Sequence, residues 1–237
     1  MRRKLYKIKS TIKKKLRLLK NNLLKGSRKF NQQVFTEIYE KDLFNSRSQN
    51  DNSVSKSGSG SDLEQTREIV DKLPALLKKY NIKSILDAPC GDFYWMRHID
   101  LSGIDYTGGD IVSGIVARNN REFANESKRF SELDVVNDTL PKVDLIICRD
   151  LLVHLKNDQI RRALKNMRNS GSKYLLTTSF KNTQTNVDNG TIGYWRTINL
   201  ALPPFKMTDS IDEIFENCTE GDGKYNDKYL LLYQLNQ

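Results

Sequence analysis

The sequence predicts an α/β fold: a doubly wound, seven-stranded, mostly parallel sheet with an antiparallel last strand, preceded by a basic N-terminal helix. From residue 61 onward, short apolar runs of strand length alternate with segments of helical periodicity. Several runs are almost continuously apolar, as expected of parallel strands covered on both faces. The last two strand candidates are joined by a glycine-rich turn, which makes them antiparallel to each other.

Five segments are assigned to the parallel strands, and the unbroken apolar run of the fourth is the clearest. They are KSILDA (83–88), YTGGDIV (106–112), RFSELDV (129–135), VDLIICRD (143–150) and KYLLTTSF (173–180). Residues 158–168 between the last two have apolar positions spaced for one face of a helix. The closing pair is DEIFENCTE (212–220) and KYLLLYQL (228–235), on either side of the turn at Gly221 to Gly223.

Residues 1–30 form a separate segment, which we interpret as a basic amphipathic helix. They contain 13 Lys and Arg and no acid, and leucines and isoleucines recur every three or four positions from Leu5 to Leu23. Such a helix can lie on an anionic membrane, so we expect peripheral membrane contact through residues 1–25. The alternatives are a helix packed on the domain, a disordered tail, and a role in RNA binding or organelle import.

Residues 31–60 are interpreted as a linker or N-terminal cap with a loop rich in Ser, Gly and Asn. The stretch from 45 to 61 is almost free of large apolar residues, which is typical of a flexible linker. Ser61 and Glu64 have the spacing of a helix capping box, so the main domain is placed at 61–237.

The charge distribution and the cysteine content limit the classes of binding partner and the cellular compartment that the sequence favours. Outside residues 1–30 the chain has 26 basic and 29 acidic residues, a net charge of −3, which argues against a nucleic-acid-binding domain surface. The three cysteines are far apart and have no metal-ligand spacing with the two histidines. We therefore expect reduced thiols, no metal site, and a cytoplasmic protein at or near a membrane surface.

Acidic residues follow three successive predicted strands. Asp87 ends the first and is followed by a turn containing Gly91, Asp110 ends the second, and Asp134 ends the third. Doubly wound sheets bind nucleotides at this edge, where an acid after the second strand can accept both ribose hydroxyls. The glycine pattern is not G-x-G-x-x-G, so a dinucleotide cofactor is not indicated.

At these residues the sequence resembles the class I S-adenosylmethionine (SAM)-dependent methyltransferases, over about residues 60–237. The segments LDAPCGDFYWM, GGDIV, CRDLLVHL, YLLTTSF and WRTINLALPPF resemble a little-characterised bacterial and viral group, some of which accompany glycan synthesis. The resemblance implies a Rossmann-like methyltransferase fold and SAM as cofactor. It places Asp87 and Gly91 at the methionine end, Asp110 at the ribose and Asp134 at the adenine, with Arg149 also at the cofactor. Pro89 and Phe93 replace two glycines of the usual G-x-G-x-G turn.

The fourth strand brings Asp150 to the same edge, with His154 shortly after it. Methyl transfer needs an aligned acceptor, and a hydroxyl acceptor also needs a base. Asp150 and His154 are therefore the catalytic candidates.

The stretch 181–205 mixes aromatic, amide and guanidinium side chains, which suits a polar, ring-shaped acceptor and equally suits an ordered loop. Its acceptor candidates are Trp195, Arg196 and Asn199. The leading hypothesis is O-methylation of a hydroxyl on a glycan or other small polar acceptor. The alternatives are an RNA or protein methyltransferase and a SAM-binding module without catalysis.

Overall fold

The computed structural model describes residues 26–44 and 55–235. The basic amphipathic helix predicted for residues 1–25 lies outside this range. No helix among the described residues is both long and apolar enough to span a membrane. The helices are α1 (Arg28–Glu40), α2 (Leu63–Lys79), α3 (Ser113–Phe123) and α4 (Asn157–Asn169), with short 3₁₀ turns at Ser59–Ser61, Met96–His98 and Leu152–His154.

Seven strands form one sheet in the order β3-β2-β1-β4-β5-β7-β6. Their bounds are β1 (Ser84–Asp87), β2 (Asp105–Asp110), β3 (Lys128–Glu132), β4 (Leu145–Cys148), β5 (Tyr174–Phe180), β6 (Ser210–Phe215) and β7 (Lys228–Gln234). All neighbouring pairs are parallel except those made by β7, which is antiparallel to both β5 and β6. The predicted doubly wound, mostly parallel, seven-stranded sheet with an antiparallel last strand is confirmed.

Two apolar cores cover the two faces of the sheet, because successive side chains of a strand point to opposite faces. On β1, Ile85 joins the core formed with α2, and Leu86 joins the core formed with α4. Each helix buries one stripe, such as Ile160, Leu164 and Met167 on α4. The nearly continuous apolar runs of the sequence thus follow from a sheet covered on both sides.

The structure changes three details of the sequence interpretation. Helix α1 crosses the boundary drawn at residue 30 and packs Phe35 and Tyr39 against the segment that follows β2. Helix α2 begins at Leu63 with Asp62 as its N-cap, so Ser61 and Glu64 do not form the expected capping box. The connection between β6 and β7 covers residues 216–227, which is longer than a tight turn.

The chain order reverses at β1 and β4. From β1 the chain runs outward through β2 and β3, and then returns to place β4 on the other side of β1. Open α/β sheets bind ligands in the crevice at the carboxyl ends of the strands beside such a reversal. The fold therefore locates the site before any side chain is considered.

Candidate functional site

A cavity of about 500 Å³ lies at this reversal, at the carboxyl edge of the sheet. Its wall combines the segments that follow β1, β2, β3 and β4 with helix α1, residues 57–61 and the β6–β7 connection. Ligand cavities typically have volumes of about 300–1,000 Å³, so a nucleoside-sized molecule fits one of this size.

The turn after β1 is built for close contact. Gly91 has a φ of +52°, in the left-handed region that favours glycine. A Cβ at Gly91 would lie 2.4 Å from the Ser57 Oγ and 3.0 Å from its Cβ, so a side chain there would displace Ser57. The Asp92 carboxylate accepts hydrogen bonds from the hydroxyls of Ser55 (3.0 Å) and Ser57 (3.1 Å) and from the Lys56 backbone N–H (2.7 Å). Residues 57–61 thus line the cavity, and Ser55 and Lys56 are bound to its wall through Asp92, which differs from the flexible linker interpreted from the sequence.

Asp110 ends β2 and lines the cavity. Its carboxylate accepts hydrogen bonds from the backbone N–H groups of Gly91 (3.1 Å) and Val112 (2.9 Å). Burial raises the pKa of Asp110 to about 6, although those backbone donors oppose the shift. A carboxylate offers about four acceptor positions, so Asp110 retains capacity for hydroxyl groups of a ligand.

Asp134 also lines the cavity, two residues beyond the end of β3. Its carboxylate accepts hydrogen bonds from the side chains of Asn31 (3.0 Å) and Asn137 (2.6 Å) and from the Val136 backbone N–H (2.9 Å). Asn31 comes from α1, is fully buried and lines the cavity, and it also accepts a hydrogen bond from Gln159 (2.9 Å). Helix α1 is therefore fixed to the β3 side of the site by polar contacts.

Asp87 is placed differently from its predicted position at the methionine end. It is absent from the cavity wall, and its carboxylate accepts a hydrogen bond from the Tyr106 hydroxyl at 2.6 Å. Burial raises the pKa of Asp87 to about 7, although the bond from Tyr106 lowers it. Strand alternation explains the position, because Asp87 is on the same face of β1 as Ile85. The Asp87 carboxylate thus stabilises the end of β1 through its hydrogen bond with Tyr106 and does not face the cavity.

Arg149 lines the cavity but is engaged in a buried ion-pair cluster. Its guanidinium donates to the Glu216 carboxylate at 2.7 and 3.2 Å and to the Gly60 carbonyl at 2.7 Å. The Lys228 Nζ lies 3.2 Å from the same Glu216 oxygen and 2.6 Å from the Asp150 carboxylate. The cluster connects the carboxyl end of β4 to both ends of the β6–β7 connection.

Asp150 lies between this cluster and the cavity. Its φ of +54° is unusual for a residue with a side chain, and its carboxylate pairs with Lys228. Burial alone would raise the pKa of Asp150, but the neighbouring Lys228 and Arg149 cations outweigh burial and hold it at about 2. Asp150 is therefore ionised at neutral pH and is a weak base.

His154 lines the same end of the cavity, next to the Phe44 ring, whose centroid is 4.7 Å from that of the imidazole. The His154 Nδ1 lies 3.2 Å from the Gly193 carbonyl oxygen. A carbonyl only accepts, so Nδ1 carries the proton in the neutral ring and Nε2 carries the lone pair. Burial lowers the pKa of His154 to about 4, although Asp150 opposes the shift. The imidazole is therefore neutral above about pH 5.

Of the three residues predicted to bind the acceptor, the structure brings only Trp195 to the cavity wall. Arg196 donates to the Val187 carbonyl at 2.7 Å and to the Asn157 side chain at 2.6 Å. The Asn199 amide donates to backbone carbonyls of Lys181 and Thr183, both at 3.2 Å. Arg196 and Asn199 thus hold the loop that positions Trp195.

Aromatic rings surround the β4 side of the cavity. The rings of Phe180, Trp195 and Tyr225 form three mutual edge-to-face contacts, with centroid separations of 4.7 to 6.2 Å. The Glu220 carboxylate, which accepts a hydrogen bond from the Ser59 hydroxyl, also lines the cavity. This half of the cavity offers apolar ring faces together with carboxylates and an imidazole.

Five residues of the site were not identified from the sequence: Asn31, Ser57, Glu216, Glu220 and Lys228. Each lies in a segment interpreted as linker, cap or terminal hairpin, and each acts through a partner distant in the chain. The separation is 103 residues for Asn31 and Asp134, and 78 for Asp150 and Lys228. The isolated Lys228 at the start of an apolar strand was the only local signal, because a buried lysine requires a paired acid.

The fold is the Rossmann-like methyltransferase fold. The structure is similar to the N-methyltransferase NodS from Bradyrhizobium japonicum WM9 in complex with S-adenosyl-L-homocysteine (SAH), with a TM-score of 0.58 and 16% identity. That similarity covers 84% of this chain and 97% of NodS.

Two further structures share the fold. Human N-acetylserotonin methyltransferase in complex with SAM has a TM-score of 0.53 and 16% identity, covering 86% of this chain but 59% of the human chain. A SAM-dependent methyltransferase from Clostridium acetobutylicum ATCC 824 has a TM-score of 0.51 and 13% identity, covering 72% of this chain and 92% of that one. No protein-family model and no curated protein matches the sequence. At these identities the similarity establishes the fold.

Proposed function

We propose that the chain is a SAM-dependent methyltransferase. The observation that carries the proposal is the pair of carboxylates, Asp110 and Asp134, facing one cavity at the strand reversal of this fold. Both retain acceptor capacity after their internal hydrogen bonds are counted, as a ribose and an adenine amino group require. The comparison structures that contain SAM or SAH support the same assignment.

The two ends of the cavity have different proposed roles: one end binds the cofactor and the other end binds the acceptor. Asp110 would hold the ribose, Asp134 with Asn31 the adenine, and the turn at Gly91 the methionine portion. When bound, SAM supplies an activated methyl group. His154 and Asp150 lie at the β4 end, where His154 can accept a proton through Nε2 and ionised Asp150 can orient a polar group of the acceptor. The protein's main contribution is then alignment.

For the acceptor, we propose a hydroxyl group on a glycan or another small polar molecule. The rings of Trp195, Tyr225 and Phe180 provide apolar faces for a sugar ring, and Asp150, Glu220 and His154 provide hydrogen-bonding groups. A hydroxyl must lose its proton during methyl transfer, and the Nε2 lone pair of neutral His154 would accept it.

We also propose peripheral contact with an anionic membrane through residues 1–25. This segment has 11 Lys and Arg, no acid, and a regular spacing of leucine and isoleucine. Basic residues close to an anionic surface contribute roughly 1 kcal/mol each, and salt weakens the contribution.

The cofactor assignment is tested by replacing Asp110 with alanine. The variant should bind SAH about 10- to 150-fold more weakly, because it loses charge-assisted hydrogen bonds to the ribose worth roughly 1.5–3 kcal/mol. Isothermal titration calorimetry measures the change. Asp105→Ala is the matched control, since Asp105 is exposed at the opposite end of the same strand. Absence of SAH binding to the wild type, or equal affinity in both variants, would refute the assignment.

Cofactor affinity should also depend on pH. Asp110 must be ionised to accept two hydroxyl hydrogens, and its pKa is raised to about 6. SAH affinity should therefore be constant above about pH 7 and fall by up to tenfold per unit below about pH 6, as the carboxyl group becomes protonated. Asp110→Asn should bind weakly with an almost flat profile between pH 5 and 8. An identical slope in the wild type and Asp110→Asn would assign the titration to another group, such as Asp87.

A further inference from the structure

Four large apolar side chains are strongly exposed around the β4 end of the cavity. The exposed fractions are 62% for Leu43, 70% for Val187, 71% for Tyr194 and 42% for Trp195. Among residues 26–44 and 55–235, the other exposed large apolar side chains are Leu63 (39%) and Ile211 (44%). Leu63 begins α2 and Ile211 lies on the edge strand β6.

The four residues come from two segments that pack together. Leu43 and Trp195 both line the cavity. The segments meet at Gly193, where a Cβ would lie 2.7 Å from the Ile38 Cδ1 and 3.3 Å from the Val34 Cγ1 of α1. We call Leu43, Val187, Tyr194 and Trp195 the rim. Through Leu43 and Trp195 the rim adjoins the proposed acceptor end of the cavity.

The backbone beneath the rim is fixed by hydrogen bonds. The Val187 carbonyl accepts from the Arg196 guanidinium at 2.7 Å, and the Tyr194 carbonyl accepts from the Asn189 amide at 2.6 Å. The Gly193 N–H donates to the His154 carbonyl at 2.8 Å. Since these bonds anchor the loop to the site, the apolar side chains are presented to solvent by an ordered support.

Exposed apolar groups concentrated at one opening indicate a surface that meets an apolar partner. We infer that the rim contacts an anionic lipid bilayer, so that the cavity takes its acceptor from the membrane surface. The inference rests on the proposed function for the acceptor end of the cavity. Tyr and Trp are the side chains enriched at membrane–water interfaces, where an apolar ring and a polar group are both satisfied.

The charge of the chain favours a bilayer over another apolar partner. The 11 basic residues among positions 1–25 directly precede α1. Helix α1 lies along the carboxyl edge of the sheet: Arg28 near its start bonds to Asp138 at 2.9 Å, and Leu43, just beyond its end, lines the cavity. The basic segment is therefore joined to the same edge of the molecule that carries the rim, and both can meet one anionic surface.

The test is sedimentation of the full-length protein with phosphatidylcholine vesicles, with and without phosphatidylglycerol. Val187→Ser/Tyr194→Ser should bind the anionic vesicles on the order of tenfold more weakly than the wild type, because both side chains lose apolar surface that enters the interface. Leu63→Ser/Ile211→Ser removes the same number of exposed apolar side chains elsewhere and should bind like the wild type.

SAH affinity separates this inference from the proposed function. It should be the same in the wild type and both double variants, which shows that the cofactor end of the cavity is intact. Wild-type binding to vesicles by the Val187/Tyr194 variant would overturn the inference, as would equal loss in the two double variants or no vesicle binding by the wild type. Failure of the wild type to bind SAH would refute the methyltransferase proposal whatever the vesicles show.

Discussion

Replacing His154 with glutamine should lower methyl transfer by roughly 10²- to 10⁴-fold, the usual contribution of a positioned base. The Gly193 carbonyl fixes the proton on Nδ1, which leaves the Nε2 lone pair as the accepting atom. Asp150 is a poorer candidate, because Lys228 and Arg149 hold its pKa at about 2, below the pKa of about 4 to which burial lowers His154. Glutamine retains a polar side chain at this position but cannot take up a proton.

The assay is transfer of the labelled methyl group of SAM into a lipid-linked glycan extract. His98→Gln is the matched control, because His98 is the other histidine of the chain and is exposed outside the site cavity. SAH should bind His154→Gln within about twofold of its wild-type affinity, since His154 lies at the acceptor end. Full activity in His154→Gln would exclude it as the base and favour a readily ionised acceptor.

Replacing Arg149 with methionine should lower the free energy of unfolding by about 3–5 kcal/mol. The Glu216 side chain is completely buried, and two of its hydrogen bonds come from the Arg149 guanidinium. The second carboxylate oxygen of Glu216, Oε1, has no hydrogen-bond partner in the described structure. Removing Arg149 therefore leaves a buried carboxylate with Lys228 as its remaining cation.

The double variant Arg149→Met/Glu216→Leu tests the cause of the loss. It removes both charges and leaves the Asp150–Lys228 pair intact, so it should recover most of the stability lost in the single variant. Urea unfolding followed by circular dichroism measures both variants, with similar denaturant dependence expected in each. A loss below about 1 kcal/mol in Arg149→Met, or no recovery in the double variant, would contradict a structural role for this ion pair.

The sequence was sufficient for the fold and for part of the site. Continuous apolar runs such as that of β4 reflect a sheet covered on both faces, so the mostly parallel sheet and the edge that carries the candidate site could be predicted. The positions of Asp110 and Asp134 followed from the same reasoning. The carboxyl ends of parallel strands lie at one edge of the sheet, so an acid at the end of such a strand lies near the crevice at that edge. Both predictions depend only on the residues of short segments, so they can be made from the local sequence.

Asp87 shows where that reasoning ends. Its place at the end of β1 was predicted, but its carboxylate faces Tyr106 beneath the turn, because strand alternation assigns it to the face of Ile85. The position along the chain fixed which edge Asp87 reaches. The pairing of β1 with β2 brings Tyr106 close to Asp87 and so determined which group its carboxylate contacts.

The doubly wound α/β architecture, the antiparallel last strand and two acids of the candidate cofactor site could thus be predicted from the amino-acid sequence. Three features required the folded chain: Asn31 of α1 bonds to Asp134, Ser57 lies against Gly91, and Lys228 keeps Asp150 ionised. The physical reason is that hydrophobic periodicity acts within a segment. Buried polar groups need partners, and the partners found here come from segments tens of residues away, brought into contact by folding.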